Sequence, residues 1–148
     1  VQFVSVHGND AILEAAVEDK NELKILAVTV LTSLDRKDMD DLGFKCNVEE
    51  LVLSRAKRAL QLGCDGVISS GLEASRLRSE LGDNFLIVTP GIRPVENKDD
   101  QKRTVDIKTA FRNGADYVVV GRPILQDKNP AKKAELFQEE ISSIFRSV

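Results

Sequence analysis

Val88-Thr89-Pro90-Gly91-Ile92-Arg93-Pro94 and, further along, Gly121-Arg122-Pro123-Ile124 decide the reading of this chain. Each follows directly on a short apolar run, Phe85–Thr89 (FLIVT) and Tyr117–Val120 (YVVV), whose length and β-branched content predict a strand. A strand that ends in Thr-Pro-Gly must turn sharply, and Gly91 lets the backbone come close to a ligand. Arg93 then offers a planar fork of donors suited to phosphate oxygens. At the second strand end Gly121 clears room, and the N–H groups of the following turn and the charge of Arg122 favour an anion together. A glycine-arginine pair after one strand is common. Two guanidiniums at neighbouring strand ends point to a phosphate site, against the bland alternative of a rigid surface turn with an exposed arginine.

Outward from these segments the pattern repeats. Val1–Val6 (VQFVSV), Lys24–Val30 (KILAVTV) and Asp65–Ser69 (DGVIS) also read as strands, the second nearly continuous in its apolar content, as a strand buried on both faces should be. Between the strands, Ala11–Glu18, Val48–Leu62, Leu72–Leu81 and Val105–Arg112 read as helices, and a last one runs from Pro130 towards Phe145. The polar stretch Thr32 to Asn47 has room for one helical turn, with Asp35-Arg36-Lys37-Asp38 as a solvated helix start. Residues 1–148 form a single unit in this reading, with the order βαβαβαβαβα and hence a parallel sheet with crossover helices. Two architectures fit: an open doubly wound sheet or part of a barrel. The doubly wound sheet wants its ligand loop after the first strand, where His7-Gly8-Asn9-Asp10 makes a poor phosphate loop. The chemistry gathers instead after the last two strands, as in a (β/α)8 barrel. The expected fold is therefore α/β, a partial (β/α)8 TIM barrel of five parallel strands, because a closed barrel takes roughly 250 residues.

Composition excludes other classes. The net charge of −3, with 21 basic and 24 acidic residues, and scattered aromatics argue against nucleic acid as a partner. The apolar runs fall far short of the roughly 20 residues that span a membrane, and no signal peptide opens the chain. Cys46 and Cys64 sit in unlike contexts, which suits a reducing cytoplasm. His7 is the only histidine; without a Cys/His cluster it makes no metal site. Asp65 and Asp116 each precede a strand and are expected to shape turns at the bottom of the barrel.

The ordered set ValThrProGlyIleArgPro, AspAspGlnLysArg (99–103) and GlyAlaAspTyrValValValGlyArgProIle (114–124) resembles the C-terminal part of bacterial orotidine 5′-phosphate decarboxylases. Val4-Ser5-Val6-His7-Gly8 is similar to that family's fourth strand, Leu26 to Ser33 to its fifth and Asp65 to Ser70 to its sixth. The resemblance implies decarboxylation of orotidine 5′-phosphate to uridine 5′-phosphate in pyrimidine biosynthesis, without metal or organic cofactor, in a cytoplasmic homodimer. It implies substrate-binding roles for Arg122 and Gly121 on phosphate, Arg93 beside Pro90, Gln101 folding over phosphate and base, and Thr32 with Ser33 near the pyrimidine. The family's catalytic lysine and aspartate array belongs to its third strand, one aspartate coming from the neighbouring subunit. That array is expected upstream of Val1, no residue of this sequence takes its place, and the fragment alone is expected to be inactive. Two alternatives stay open: a related phosphosugar decarboxylase, and a non-catalytic half-barrel that binds phosphate or nucleotide.

Overall fold

The computed structural model describes residues 1–93 and 103–146. Along them run β1 (Phe3–His7), α1 (Asp10–Glu18), β2 (Lys24–Val28), α2 (Arg36–Asp41), α3 (Val48–Gln61), β3 (Gly66–Ile68), α4 (Ala74–Leu81), β4 (Leu86–Thr89), α5 (Ile107–Arg112), β5 (Tyr117–Val118), α6 (Arg122–Leu125) and α7 (Pro130–Arg146). The five strands make one parallel sheet in chain order, β1-β2-β3-β4-β5. A doubly wound sheet reverses its strand order at a switch point. Here there is no reversal, so each right-handed crossover leads the same way and the major helices pack on one face.

Alternate strand residues build that helical face. Ile25, Ala27, Val67 and Ile87 are buried among Leu13 of α1, Val52, Ala56 and Ala59 of α3 and Leu77 of α4. A separate cluster, Ile92, Val105, Ile107, Ala110 and Ala115, seats α5 and α7 through Phe111, Phe137 and Ile141. The intervening residues point the other way. Phe3 on β1 and Tyr117 on β5 meet there, with ring centroids 5.4 Å apart. Contact between the two outermost strands of a five-stranded sheet requires a strongly curled sheet, and the face carrying Phe3 and Tyr117 is its concave side.

The helix ends follow from local sequence. Asn47 accepts from the Glu50 N–H at 2.8 Å while the Glu50 carboxylate accepts from the Asn47 N–H, a capping box that starts α3. At its other end, Gly63 in a left-handed conformation lets the Gly63 N–H reach the Leu60 carbonyl and the Cys64 N–H reach that of Ala59. The same closure ends α5 at Gly114 and Ala115. The polar segment before α3 holds more than the single turn expected. Asp35 and Asp38 form a second capping box there, and α2 runs for six residues. The strands are shorter than the apolar runs suggested. β4 ends where Pro90 has no N–H to donate, which leaves β5 without a ladder partner beyond the Val119 N–H to the Thr89 carbonyl. β2 ends early because the carbonyls of Val30 and Leu31 turn to the Arg103 guanidinium.

Candidate functional site

The C-terminal edge of the sheet gathers the polar and strained residues. His7 ends β1 and is exposed; Thr29 to Ser33 follow β2, Ser69 and Ser70 follow β3, Pro90 to Arg93 follow β4, and Gly121 and Arg122 follow β5. All the binding residues expected from sequence and described in the structure, Thr32, Ser33, Pro90, Arg93, Gly121 and Arg122, therefore stand on one edge. Gln101 lies outside the described residues.

The turns after β2 and β4 touch. Gly91 adopts φ +74°, and a Cβ placed on it would lie 3.8 Å from Thr32 Cβ and Oγ1 and 3.1 Å from the Arg103 carbonyl oxygen. The chain leaving Gly91 is held by a parallel bridge between Ile92 and Val105: the Arg93 N–H donates to Val105 O at 3.0 Å and the Val105 N–H to Gly91 O at 3.3 Å. This bridge turns Arg93 towards α5. The buried guanidinium donates from Nη1 to Ile92 O at 2.8 Å and lines a cleft of about 450 Å³ with Asp106, Lys108, Arg112, Lys133 and Phe137. Gly121 and Arg122 are not among the residues lining that cleft. The structure thus places the two arginines at the ends of paired strands, with Thr89 opposite Val118. Among the described residues nothing lies within 4 Å of a Cβ placed on Gly121.

Cations outnumber anions around the cleft: Arg93, Lys108, Arg112 and Lys133 face Asp106 and Glu140. Asp106 caps α5, accepting from the N–H and hydroxyl of Thr109, each at 2.8 Å. The Thr109 N–H is the chief cause of a carboxyl held below the usual aspartate value, against the upward push of burial.

Sequence reasoning passed over the most heavily bonded group of this edge. The buried Arg103 side chain donates from Nε to Leu34 O (3.0 Å), from Nη2 to Val30 O (3.0 Å) and Leu31 O (2.8 Å), and from Nη1 to Glu73 Oε1 (2.7 Å). Glu73 is 4% exposed, and its Oε2 has no hydrogen-bond partner among the described residues. Burial pushes its carboxyl above the ordinary value, opposed by the guanidinium beside it. Arg55 adds a bond from Nη1 to Thr29 O at 2.8 Å. No periodicity signals such partners, because they meet across 26 to 73 positions of chain. Among the described residues no group of three or more His, Cys, Asp and Glu is placed to hold a metal ion, and no helix is long and apolar enough to cross a membrane.

A singly wound, curled parallel sheet with helices outside and its turns of glycine, threonine and arginine at the strands' C-terminal ends is part of a (β/α)8 barrel. Residues 1–137 match the sequence model of the orotidine 5′-phosphate decarboxylase / HUMPS family, and the chain belongs to that family. It is 60% identical over 147 residues to an orotidine 5′-phosphate decarboxylase of Methylococcus capsulatus, covering 98% of this chain and 61% of that protein. With the decarboxylase of Nitrobacter winogradskyi the identity is 46%, over 99% of this chain and 62% of the relative. The crystal structure of orotidine 5′-phosphate decarboxylase from Lactobacillus acidophilus superposes with a TM-score of 0.77 at 34% identity, covering 95% of this chain and 63% of that one. The chain thus spans a little over three fifths of the length of the relatives it matches.

Proposed function

We propose that this chain is the phosphate-holding part of an enzyme that converts orotidine 5′-phosphate to uridine 5′-phosphate. One observation carries the reading: family membership over residues 1–137, with the Thr-Pro-Gly-Ile-Arg and Gly-Arg turns at the ends of strands that pair with each other. In this reading Arg122 and the Gly121 backbone hold the phosphate and Arg93, beside Pro90, adds a second guanidinium to it. Thr32 and Ser33 meet the pyrimidine, and Gln101 folds over phosphate and base. The bond from the ring to the carboxylate breaks, carbon dioxide leaves, and the electron pair left on the ring carbon takes a proton from a lysine. That lysine and its aspartates belong to the share of the family's length that these 148 residues do not span. Binding energy gained at the phosphate, remote from the reacting carbon, then organises charge where it develops. The working molecule is a cytoplasmic homodimer that needs no cofactor.

Arg122→Ala in the full natural polypeptide tests the assignment by calorimetry. Losing a charged hydrogen-bonded contact of about 2–4 kcal/mol raises the Kd of uridine 5′-phosphate by roughly 30- to 1,000-fold. The Kd of uridine stays within about threefold, roughly 0.7 kcal/mol. Equal losses for both would remove Arg122 from the phosphate. The family's description also takes in a second group, so turnover of a phosphorylated hexulose with none of orotidine 5′-phosphate would replace the substrate proposed here.

A further inference from the structure

Arg103 and Glu73 form a buried ion pair at the mouth of the sheet, exposed to 7% and 4%. Such a pair is poor material for stability, since removing two charges from water consumes most of what their attraction returns. The placement of the bonds suggests another use. The Arg103 guanidinium takes the carbonyls of Val30, Leu31 and Leu34, and its own N–H donates to the Thr32 carbonyl at 3.2 Å. Four of the five carbonyls between residues 30 and 34 thus end on one residue. Its remaining contacts reach the next two strand ends. Glu73 and the Ser70 hydroxyl, which donates to Arg103 O at 3.1 Å, come from the turn after β3. Gly91, after β4, backs onto the same carbonyl oxygen, 3.1 Å from where a Cβ would stand.

We propose that Arg103, oriented by Glu73, is a positioning residue that fixes the shape of the Thr32–Ser33 turn and locks it to the Gly91–Arg93 turn. The role follows from guanidinium geometry. A rigid planar fork aims donors in several fixed directions at once, whereas a lysine ammonium supplies one mobile point of charge. Three carbonyls drawn to one plane leave the turn a single conformation, with Thr32 and Ser33 at a fixed height above β2. The inference rests on the reading above only in its choice of ligand.

Two variants of the full polypeptide separate positioning from bulk stability: Arg103→Lys, and the apolar pair Glu73→Leu with Arg103→Met. The apolar pair is expected to melt close to the wild type, because it removes both buried charges together. Amide hydrogen exchange is the ligand-independent readout. Both variants should exchange at least about tenfold faster at residues 31–34 and 91–93, with strand amides unchanged. Calorimetry with uridine 5′-phosphate and with uridine is the second readout. Both ligands should bind about tenfold more weakly, or 1.4 kcal/mol, unlike the Arg122→Ala pattern that spares the nucleoside. Wild-type exchange in the apolar pair would overturn the proposal, and so would wild-type affinity for both ligands. A wild-type protein that binds neither ligand would instead overturn the functional reading, while the exchange result still decides the role of Arg103.

Discussion

Gly91 shows how one residue can serve two ends. Its φ of +74° costs an L side chain about 1–2 kcal/mol, and a Cβ would come within 3.1 Å of a backbone oxygen that Ser70 already holds. Gly91→Ala is therefore expected to destabilise the protein by about 2 kcal/mol or more, read from the midpoint of urea unfolding at unchanged slope. Asp106 gives a prediction of opposite chemical origin. Its carboxyl lies below the usual aspartate value because the Thr109 N–H and hydroxyl favour the charged form. A depressed folded pKa contributes stability that is fully present above the unfolded value of about 3.9 and is lost as pH falls through the folded one. Asp106→Ala should thus cost about 1 kcal/mol at pH 7, with the loss shrinking below about pH 3.9 as the wild-type carboxyl protonates. Denaturation curves at pH 7 and pH 3 measure the difference.

At the scale of elements, one turn is used twice. Gly63-Cys64-Asp65 closes α3 and opens β3; Gly114-Ala115-Asp116 closes α5 and opens β5. Both aspartates accept a backbone N–H from the preceding strand of the sheet, Ile25 at 2.9 Å and Ile87 at 2.8 Å. Each also meets a cation at 2.7 Å, Lys20 and Arg78 respectively. These carboxylates sit at the edge opposite the binding turns, which is the stability role expected from their position before a strand. Asp65→Ala leaves the Ile25 N–H without its acceptor and should cost about 1–3 kcal/mol, most of it from that bond and little from the partly exposed Lys20 pair. For Asp65, burial pushes the carboxyl up, but Lys20 and the Ile25 N–H outweigh it and hold it below the usual value. The sign is that of Asp106, so Asp65→Asn should differ most from the wild type at neutral pH and converge with it in acid. Cys64, between these elements, has its thiol pushed up by burial, as befits a packing residue rather than a nucleophile.

At the scale of the whole molecule, the curled sheet has a helical side and a concave side. The first carries the core. The second presents Tyr117 and Val119, about half exposed, and exposed Ser5 and His7. Parallel sheets are ordinarily covered on both faces. The 148 residues expressed by themselves should associate as concentration rises, and Tyr117→Lys with Val119→Lys should suppress that association in sedimentation velocity. Persistence of association in the double variant would place it on another surface.

What the sequence determined by itself was the alternation of strand and helix, while the choice between a doubly wound sheet and a barrel rested on where the glycine and arginine turns fall and was decided by the strand order. Short β-branched runs, helix periods and glycine stops are local signals that act within a few residues. The Thr-Pro-Gly-Ile-Arg and Gly-Arg turns were legible for the same reason, each being contiguous in the chain. Strand ends were less legible, since Val30 and Val119 are apolar enough to continue their runs. Tertiary structure alone decided that Arg103 draws the carbonyls after β2 away from the ladder. It alone decided that Arg93 lines the α5–α7 cleft, and that Glu73, an unremarkable acid in sequence, is buried against Arg103. The Arg103 contacts rest on hydrogen bonds between residues 30 to 73 positions apart, whose geometry exists only once the sheet has curled and brought the strand ends together.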